Sequence, residues 1–153
     1  MPDVHILVVD DFAPWRQRIR SILELRTEFQ IVGEASDGLE ALHKAEELKP
    51  DLILLDIGLP ELNGLEAENR LGQLVPAAKV IFVTAISDVD VVQTALGNGA
   101  HAYVLKVDAA RELLPAINAV LRGKKFASSG VKQSDSGKIP PRESVKPSGK
   151  VAS

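Results

Sequence analysis

Leu52-Ile53-Leu54-Leu55-Asp56, residues 52–56, is a run of four apolar side chains stopped by a carboxylate. A run so short and so continuous reads as a strand buried on both faces, as in parallel sheets covered by helices. The same pattern recurs along the chain. Ile6-Leu7-Val8-Val9 stops at Asp10-Asp11, Val80-Ile81-Phe82-Val83 at Thr84, and Tyr103-Val104-Leu105 at Lys106. In open parallel sheets ligands bind in the crevice beyond the carboxyl ends of the strands. The pattern therefore gathers three carboxylates, a hydroxyl and an ammonium at one end of one sheet, although they lie far apart in the chain.

Helical signals fill the gaps between these runs. After a first strand over Val4–Val9, Pro14 suits a first helical turn, and Trp15, Ile19, Ile22 and Leu23 form an inward stripe. A second strand is expected over Gln30–Ala35. Asp37 with Glu40 three residues on has the form of a capping box for a helix carrying Ala41, Leu42, Ala45 and Leu48, and Pro50 closes that unit. Strand three spans Asp51–Leu55, and a loop with Pro60 and Gly64 leads to a helix over Leu65–Gln73. Strand four is Lys79–Val83. The fourth helix, near Asp88–Asn98, uses Val89, Val91, Val92 and Thr94 and ends among glycines, so its local preference is the poorest. Strand five is Ala102–Leu105. The last helix repeats Ala110, Leu113, Leu114, Ile117, Val120 and Leu121 up to Gly123, with Pro115 implying a late start or a kink.

Alternating strands and helices give a (βα)5, flavodoxin-like doubly wound sheet of order 2-1-3-4-5 over residues 1–123. Residues 124–153 turn to Ser, Lys, Gly and Pro with few large apolar side chains, so they are expected to form a disordered tail. Seven Lys/Arg against Asp135 and Glu143 make that tail +5, and the chain's total of −3 then leaves residues 1–123 at −8. An acidic globule is a poor reader of nucleic acid through its folded part. With 153 residues and no cysteine, the chain can bury a core without disulfides. Its apolar runs are strand-sized and Met1-Pro2-Asp3 opens no signal peptide, so a cytoplasmic protein without a membrane span is expected.

The cluster's charge suggests its chemistry. Two like charges about 4 Å apart repel by roughly 4 kcal/mol near a protein surface, so three carboxylates sharing a pocket call for a cation. Oxygen ligands with retained water suit Mg²⁺, held by Asp11 and Asp56 with Asp10 partly behind them. That ion, Lys106 and the Thr84 hydroxyl would together neutralise a phosphoryl group in transfer, with Asp56 as the nucleophile that forms an acyl phosphate.

Asp10-Asp11, Asp56 within Leu55-Asp56-Ile57-Gly58-Leu59-Pro60-Glu61-Leu62-Asn63-Gly64, Thr84-Ala85, and Gly99-Ala100-His101-Ala102-Tyr103-Val104-Leu105-Lys106 resemble the receiver domain of two-component response regulators. The resemblance covers about residues 3–123. Val107 after Lys106, the Tyr-Val-Leu-Lys wording and the Leu113-to-Gly123 helix look most like the LuxR/NarL-type subgroup. The resemblance implies that Asp56 accepts phosphate from a histidine kinase and that Asp10, Asp11 and the Gly58 backbone carbonyl help hold Mg²⁺. It also implies that Thr84 and Lys106 read the phosphoryl group and that Tyr103 turns inward when Thr84 moves. Output would pass to a downstream protein or a second copy through helix 4, strand 5 and helix 5. The subgroup usually carries a helix-turn-helix after its receiver, and residues 124–153 hold no such pattern, so specific DNA binding is not expected of this chain.

Other readings are weaker. A haloacid-dehalogenase-like phosphatase needs a second Asp where Gly58 stands. A flavodoxin-type carrier needs a first loop that cradles phosphate, which Asp10-Asp11 would repel. A truncated receiver of a LuxR/NarL-type DNA-binding regulator is the more serious rival. Taken singly, the residues also have plain readings: an acidic pair after a strand as a turn or cap, Thr84 as a strand-end hydroxyl, Lys106 as a solvated charge, Tyr103 and Trp15 as packing residues. His5, His43 and His101 share no ligand spacing.

Overall fold

The structure is a computed structural model that describes residues 3–128. Six parallel strands form one sheet: β1 (Val4–Val9), β2 (Phe29–Ala35), β3 (Leu52–Leu55), β4 (Lys79–Thr84), β5 (Ala102–Leu105) and β6 (Phe126–Ala127). Their order is β2-β1-β3-β4-β5-β6. The first five strands follow the expected order. The sixth does not come from the expectation: the ordered fold runs past Gly123 to Ser128, and residues 124–128 belong to the sheet layer rather than to a disordered tail. The remainder of that expectation, residues 129–153, lies outside the described residues.

Strand alternation sorts the core into two layers. Leu7, Val9, Ile53, Leu55, Val80, Phe82, Tyr103 and Leu105 face one way, against α2 (Gly38–Leu48), α3 (Gly64–Leu74) and α4 (Val89–Gly97). Ile6, Val8, Leu52, Leu54, Ile81, Val83, Ala102 and Val104 face the other, against α1 (Ala13–Leu23) and α5 (Ala109–Leu121). Both faces are thus covered, which is why these strands carry no polar alternation.

Helix ends follow local chemistry. Asp37 Oδ1 accepts from the Glu40 N–H at 2.8 Å, while the Glu40 carboxylate reaches back to the Ser36 N–H at 2.8 Å, one residue beyond the box expected. Asn63 caps α3 and Asp88 caps α4. In α5 the helix does not start late: it runs Ala109–Leu121 through Pro115. Pro115 and Arg111 are both exposed, so water can serve the Arg111 carbonyl that the proline leaves without its helical donor.

Helix α3 carries two tightly constrained positions, Gly64 and Glu68. A Cβ on Gly64 would stand 2.1 Å from the Asp56 carbonyl oxygen and 2.6 Å from the Ile57 Cα, so only glycine lets α3 start against the backbone that carries Asp56. Glu68 is 6% exposed, and its Oε1 has no hydrogen-bond partner among the described residues. Burial pushes its carboxyl up, and the nearby Lys125 charge offsets this only in part.

Gly64→Ala should destabilise the fold by more than about 2 kcal/mol, because backbone must move. Gly72→Ala, in open space on the same helix, should stabilise it by about 0.5–1 kcal/mol. Urea midpoints of the two variants check the contrast.

Glu68 makes a pH prediction. A carboxyl raised above its unfolded value of 4.5 binds more protons folded than unfolded, so its contribution is full below that value and is lost as pH rises through the folded pKa. Glu68→Met should therefore gain about 1 kcal/mol over wild type at pH 7, shrinking toward pH 4.5. A urea series across that range reads it directly.

Candidate functional site

The strand ends deliver their polar residues to one place. Leu55 pairs with Phe82 and with Val9, and Thr84 pairs with Leu105, so Asp10, Asp56, Thr84 and Lys106 lie at neighbouring strand ends. Backbone bonds from Asp10 N–H to the Ala35 carbonyl (3.0 Å) and from Asp56 N–H to the Val9 carbonyl (3.1 Å) extend the ladder to the residues that carry the charge. The carboxylates therefore sit on the last rung of a rigid sheet rather than on a free loop.

Carboxylate oxygens of Asp10, Asp11 and Asp56 all lie within 4.8 Å of one another. Asp10 and Asp56 are buried and Asp11 is exposed. Lys106, carried just past β5 on a short 3-10 turn over Lys106–Asp108, places its Nζ 2.7 Å from Asp10 Oδ2 and 3.3 Å from Asp56 Oδ2. Asp10 Oδ1 accepts from the Phe12 N–H at 2.9 Å, and Asp56 Oδ1 from the Ile57 N–H at 2.7 Å. Each buried carboxylate thus has one oxygen fixed by backbone and the other turned to the lysine.

The electrostatics are unbalanced. Burial, with the Asp56 charge added, holds the Asp10 carboxyl above its ordinary value even though Lys106 and the Phe12 N–H oppose it. Burial alone would lower Lys106, but the Asp10 and Asp56 carboxylates outweigh it and hold the ammonium above its ordinary value. One ammonium does not satisfy the three carboxylates. The cluster accommodates a further positive charge, and an all-oxygen donor set fits a small hard divalent cation.

Behind the carboxylates lies a second line of contacts. Thr84 is buried at the end of β4, and its Oγ1 accepts from the Ile86 N–H at 3.4 Å. The Tyr103 ring is fully buried, tilted against Phe82 at 6.0 Å, and its hydroxyl donates to the Ile86 carbonyl at 2.6 Å. Burial, with the charges of Asp56 and Asp88, pushes the Tyr103 phenol well up, so it remains a donor throughout the neutral range. Gly58 is exposed in the loop after β3, with open space where a Cβ would stand.

Such a set of side chains on such a sheet points to phosphoryl chemistry, and comparison with known proteins gives its family. The response regulator receiver domain matches residues 6–118. The chain belongs to the response regulator receiver family. It is 36% identical over 120 residues to the response regulator VraR of Staphylococcus aureus, an overlap of 78% of this chain and 57% of that protein. The chain thus spans little more than half the length of that relative. A two-component response regulator of the LuxR family from Aurantimonas is 32% identical with a TM-score of 0.81, covering 86% of this chain and 94% of that one. The response regulator domain of Thermotoga maritima CheB is 35% identical with a TM-score of 0.74, covering 78% and 97%. As a receiver domain, the chain is a phosphorylation-dependent switch of two-component signalling rather than a classical enzyme. Receivers generally bind Mg²⁺ and take phosphate from histidine kinases. The likeness to LuxR-family regulators agrees with the subgroup suggested by the sequence.

Two contacts at the site go beyond what the sequence implies. Trp15, expected merely to pack near the pocket mouth, holds its ring 5.2 Å from the Lys106 ammonium, a cation–π approach that helps fix the lysine. The Arg16 guanidinium donates to the Asp10 carbonyl at 2.5 Å while pairing with Glu34 at 2.8 Å, which ties the start of α1 to β2 beside the site. An aromatic four residues after the acidic pair was the only available signal for the first, and nothing marked the second. No helix among the described residues is long and apolar enough to cross a membrane.

Proposed function

We propose that Asp56 is the phosphoacceptor of this receiver and that a histidine kinase supplies the phosphoryl group. One observation carries the reading: the Asp56 Oδ2 lies 3.3 Å from Lys106 inside a carboxylate cluster that leaves room for another cation. In the transfer an Asp56 oxygen forms a bond to phosphorus as the phosphorus–nitrogen bond of the phosphohistidine breaks, and the imidazole departs with the electron pair. Asp10, Asp11, Asp56 and the Gly58 backbone carbonyl would hold Mg²⁺, whose charge neutralises the phosphoryl oxygens. Lys106 pairs with a phosphoryl oxygen, and the Thr84 hydroxyl donates to another. Trp15 and Asp10 position the ammonium. Tyr103, joined to Thr84 through the two backbone groups of Ile86, carries the change toward the outer side of the sheet.

The chemistry is confined to the protein's own acyl phosphate, its formation and its loss. Output passes through protein contacts, to a downstream protein or a second copy. The face expected at helix 4, strand 5 and helix 5 is presented as α4, β6 and α5, because β6 covers the edge of β5. The placement is cytoplasmic, as is typical of response regulators. One observation favours a second reading, that this is the receiver of a longer LuxR/NarL-type DNA-binding regulator: the chain spans only 57% of VraR. The full reading frame decides between them.

Asp56→Asn should abolish Mg²⁺-dependent labelling by acetyl phosphate or a kinase, and Asp11→Ala should weaken it by raising the Mg²⁺ needed. Mass spectrometry of the intact protein shows the added phosphoryl group. Labelling of Asp56→Asn at the wild-type level would sink the assignment.

Lifetime gives a further test. Gly58 and Ile86, two residues beyond Asp56 and Thr84, are the positions best placed by family resemblance to orient an attacking water, and neither side chain can hydrogen-bond. Slow autodephosphorylation is expected, with Ile86→Glu accelerating it by about tenfold. Loss of phosphate from wild type within seconds contradicts this.

A further inference from the structure

The segment after α5 is fastened at every step. Lys125 Nζ donates to the Ala100 carbonyl at 3.0 Å. Phe126 pairs with Ala102 and packs on the α5 side of the sheet, while Ala127 pairs with Tyr103 and packs on the opposite side. The Ser128 N–H donates to the Tyr103 carbonyl at 2.9 Å. The Ser128 hydroxyl is fully buried, 2.5 Å from Asp108 Oδ2 and 2.9 Å from Glu112 Oε1. Two strand residues and two polar anchors form a small docked surface, of a size that local opening can release without unfolding the sheet.

What it docks on is the residue that senses the pocket. Tyr103 holds the strap through its carbonyl and holds Ile86 through its hydroxyl, and Ile86 holds Thr84 through its N–H. Ala127 packs against the same buried cluster as the Tyr103 ring. In this arrangement the Thr84 oxygen accepts from the Ile86 N–H, a bond that does not use the Thr84 hydroxyl hydrogen. The docked strap and the chain of hydrogen bonds from Tyr103 through Ile86 to Thr84 therefore belong to one conformation.

We propose that residues 124–128 are a strap whose docking on the β5 edge is coupled through Tyr103 and Ile86 to the Asp56 pocket, so that a filled pocket tightens the strap and a docked strap favours filling. This rests on the phosphoacceptor reading of Asp56. Coupling of this kind is reciprocal: whatever factor the pocket ligand applies to docking, docking applies to the ligand. Phosphorylation then closes the β5 edge to a partner's strand and presents α4, β6 and α5 as one ordered surface.

The test uses the full chain with Mg²⁺ and beryllofluoride as a phosphoryl mimic. Amide hydrogen exchange over 124–128 should slow by about fivefold or more when fluorine NMR shows the mimic bound. Ser128→Glu adds a third carboxylate beside Asp108 and Glu112 and should undock the strap, raising the midpoint for beryllofluoride by a similar factor. Tyr103→Phe keeps the backbone pairing but loses the bond to Ile86, so its strap should exchange at one rate with or without the mimic. Unchanged or faster wild-type exchange with the mimic demonstrably bound overturns the strap and leaves Asp56 as phosphoacceptor. Absence of bound mimic in the fluorine spectrum overturns the pocket reading, and the coupling with it.

Discussion

The Lys106 ammonium, 2.7 Å from Asp10 and 3.3 Å from Asp56, is the contact on which the site turns. Without a cation, carboxylates within 4.8 Å of one another would hold a proton between them or push apart. One ammonium offsets part of that repulsion, and the compensation stays short of complete. Truncating Lys106 would leave buried charge unpaired, which costs more than the pair itself supplies. Much of the surrounding structure keeps this lysine where it is: β5 carries it, the 3-10 turn aims it, and the Trp15 ring flanks it.

The sheet was legible because helices cover both its faces. Leu52–Leu55 and Val80–Val83 have no solvent side, so their sequences are uninterrupted apolar runs whose ends fall at or within one residue of the strand ends. Once those ends were known, topology alone assembled Asp10, Asp56, Thr84 and Lys106. The cap at Asp37 was visible because its chemistry is local, whereas those at Asn63 and Asp88 were not picked out.

What escaped the sequence depends on groups that carry no pattern. Phe126–Ala127 is two residues long and is held by backbone, so no hydropathy period announces it. Lys124, Lys125 and Ser128 read as linker composition, yet Lys125 and Ser128 make fixed polar bonds on reaching Ala100, Asp108 and Glu112. Glu68 stands on a helix whose exposed neighbours are also polar, and only three-dimensional packing of α3 turns it inward. Trp15 could be recognised as amphipathic, but its partner lies on another strand's end and has no spacing relation to it.

The acidic site is also made late. Asp56 and Lys106 are fifty positions apart, and Asp10 comes from the first strand, so no local stretch of chain contains the pocket. Contacts so distant in sequence form only when most of the sheet has been assembled, and they are slow to find. A nascent or partly unfolded chain therefore lacks the arrangement of charge that surrounds Asp56 in the folded protein. The phosphoryl transfer proposed for Asp56 would thus be open only to molecules that have completed folding, and chains still emerging would take no part in it.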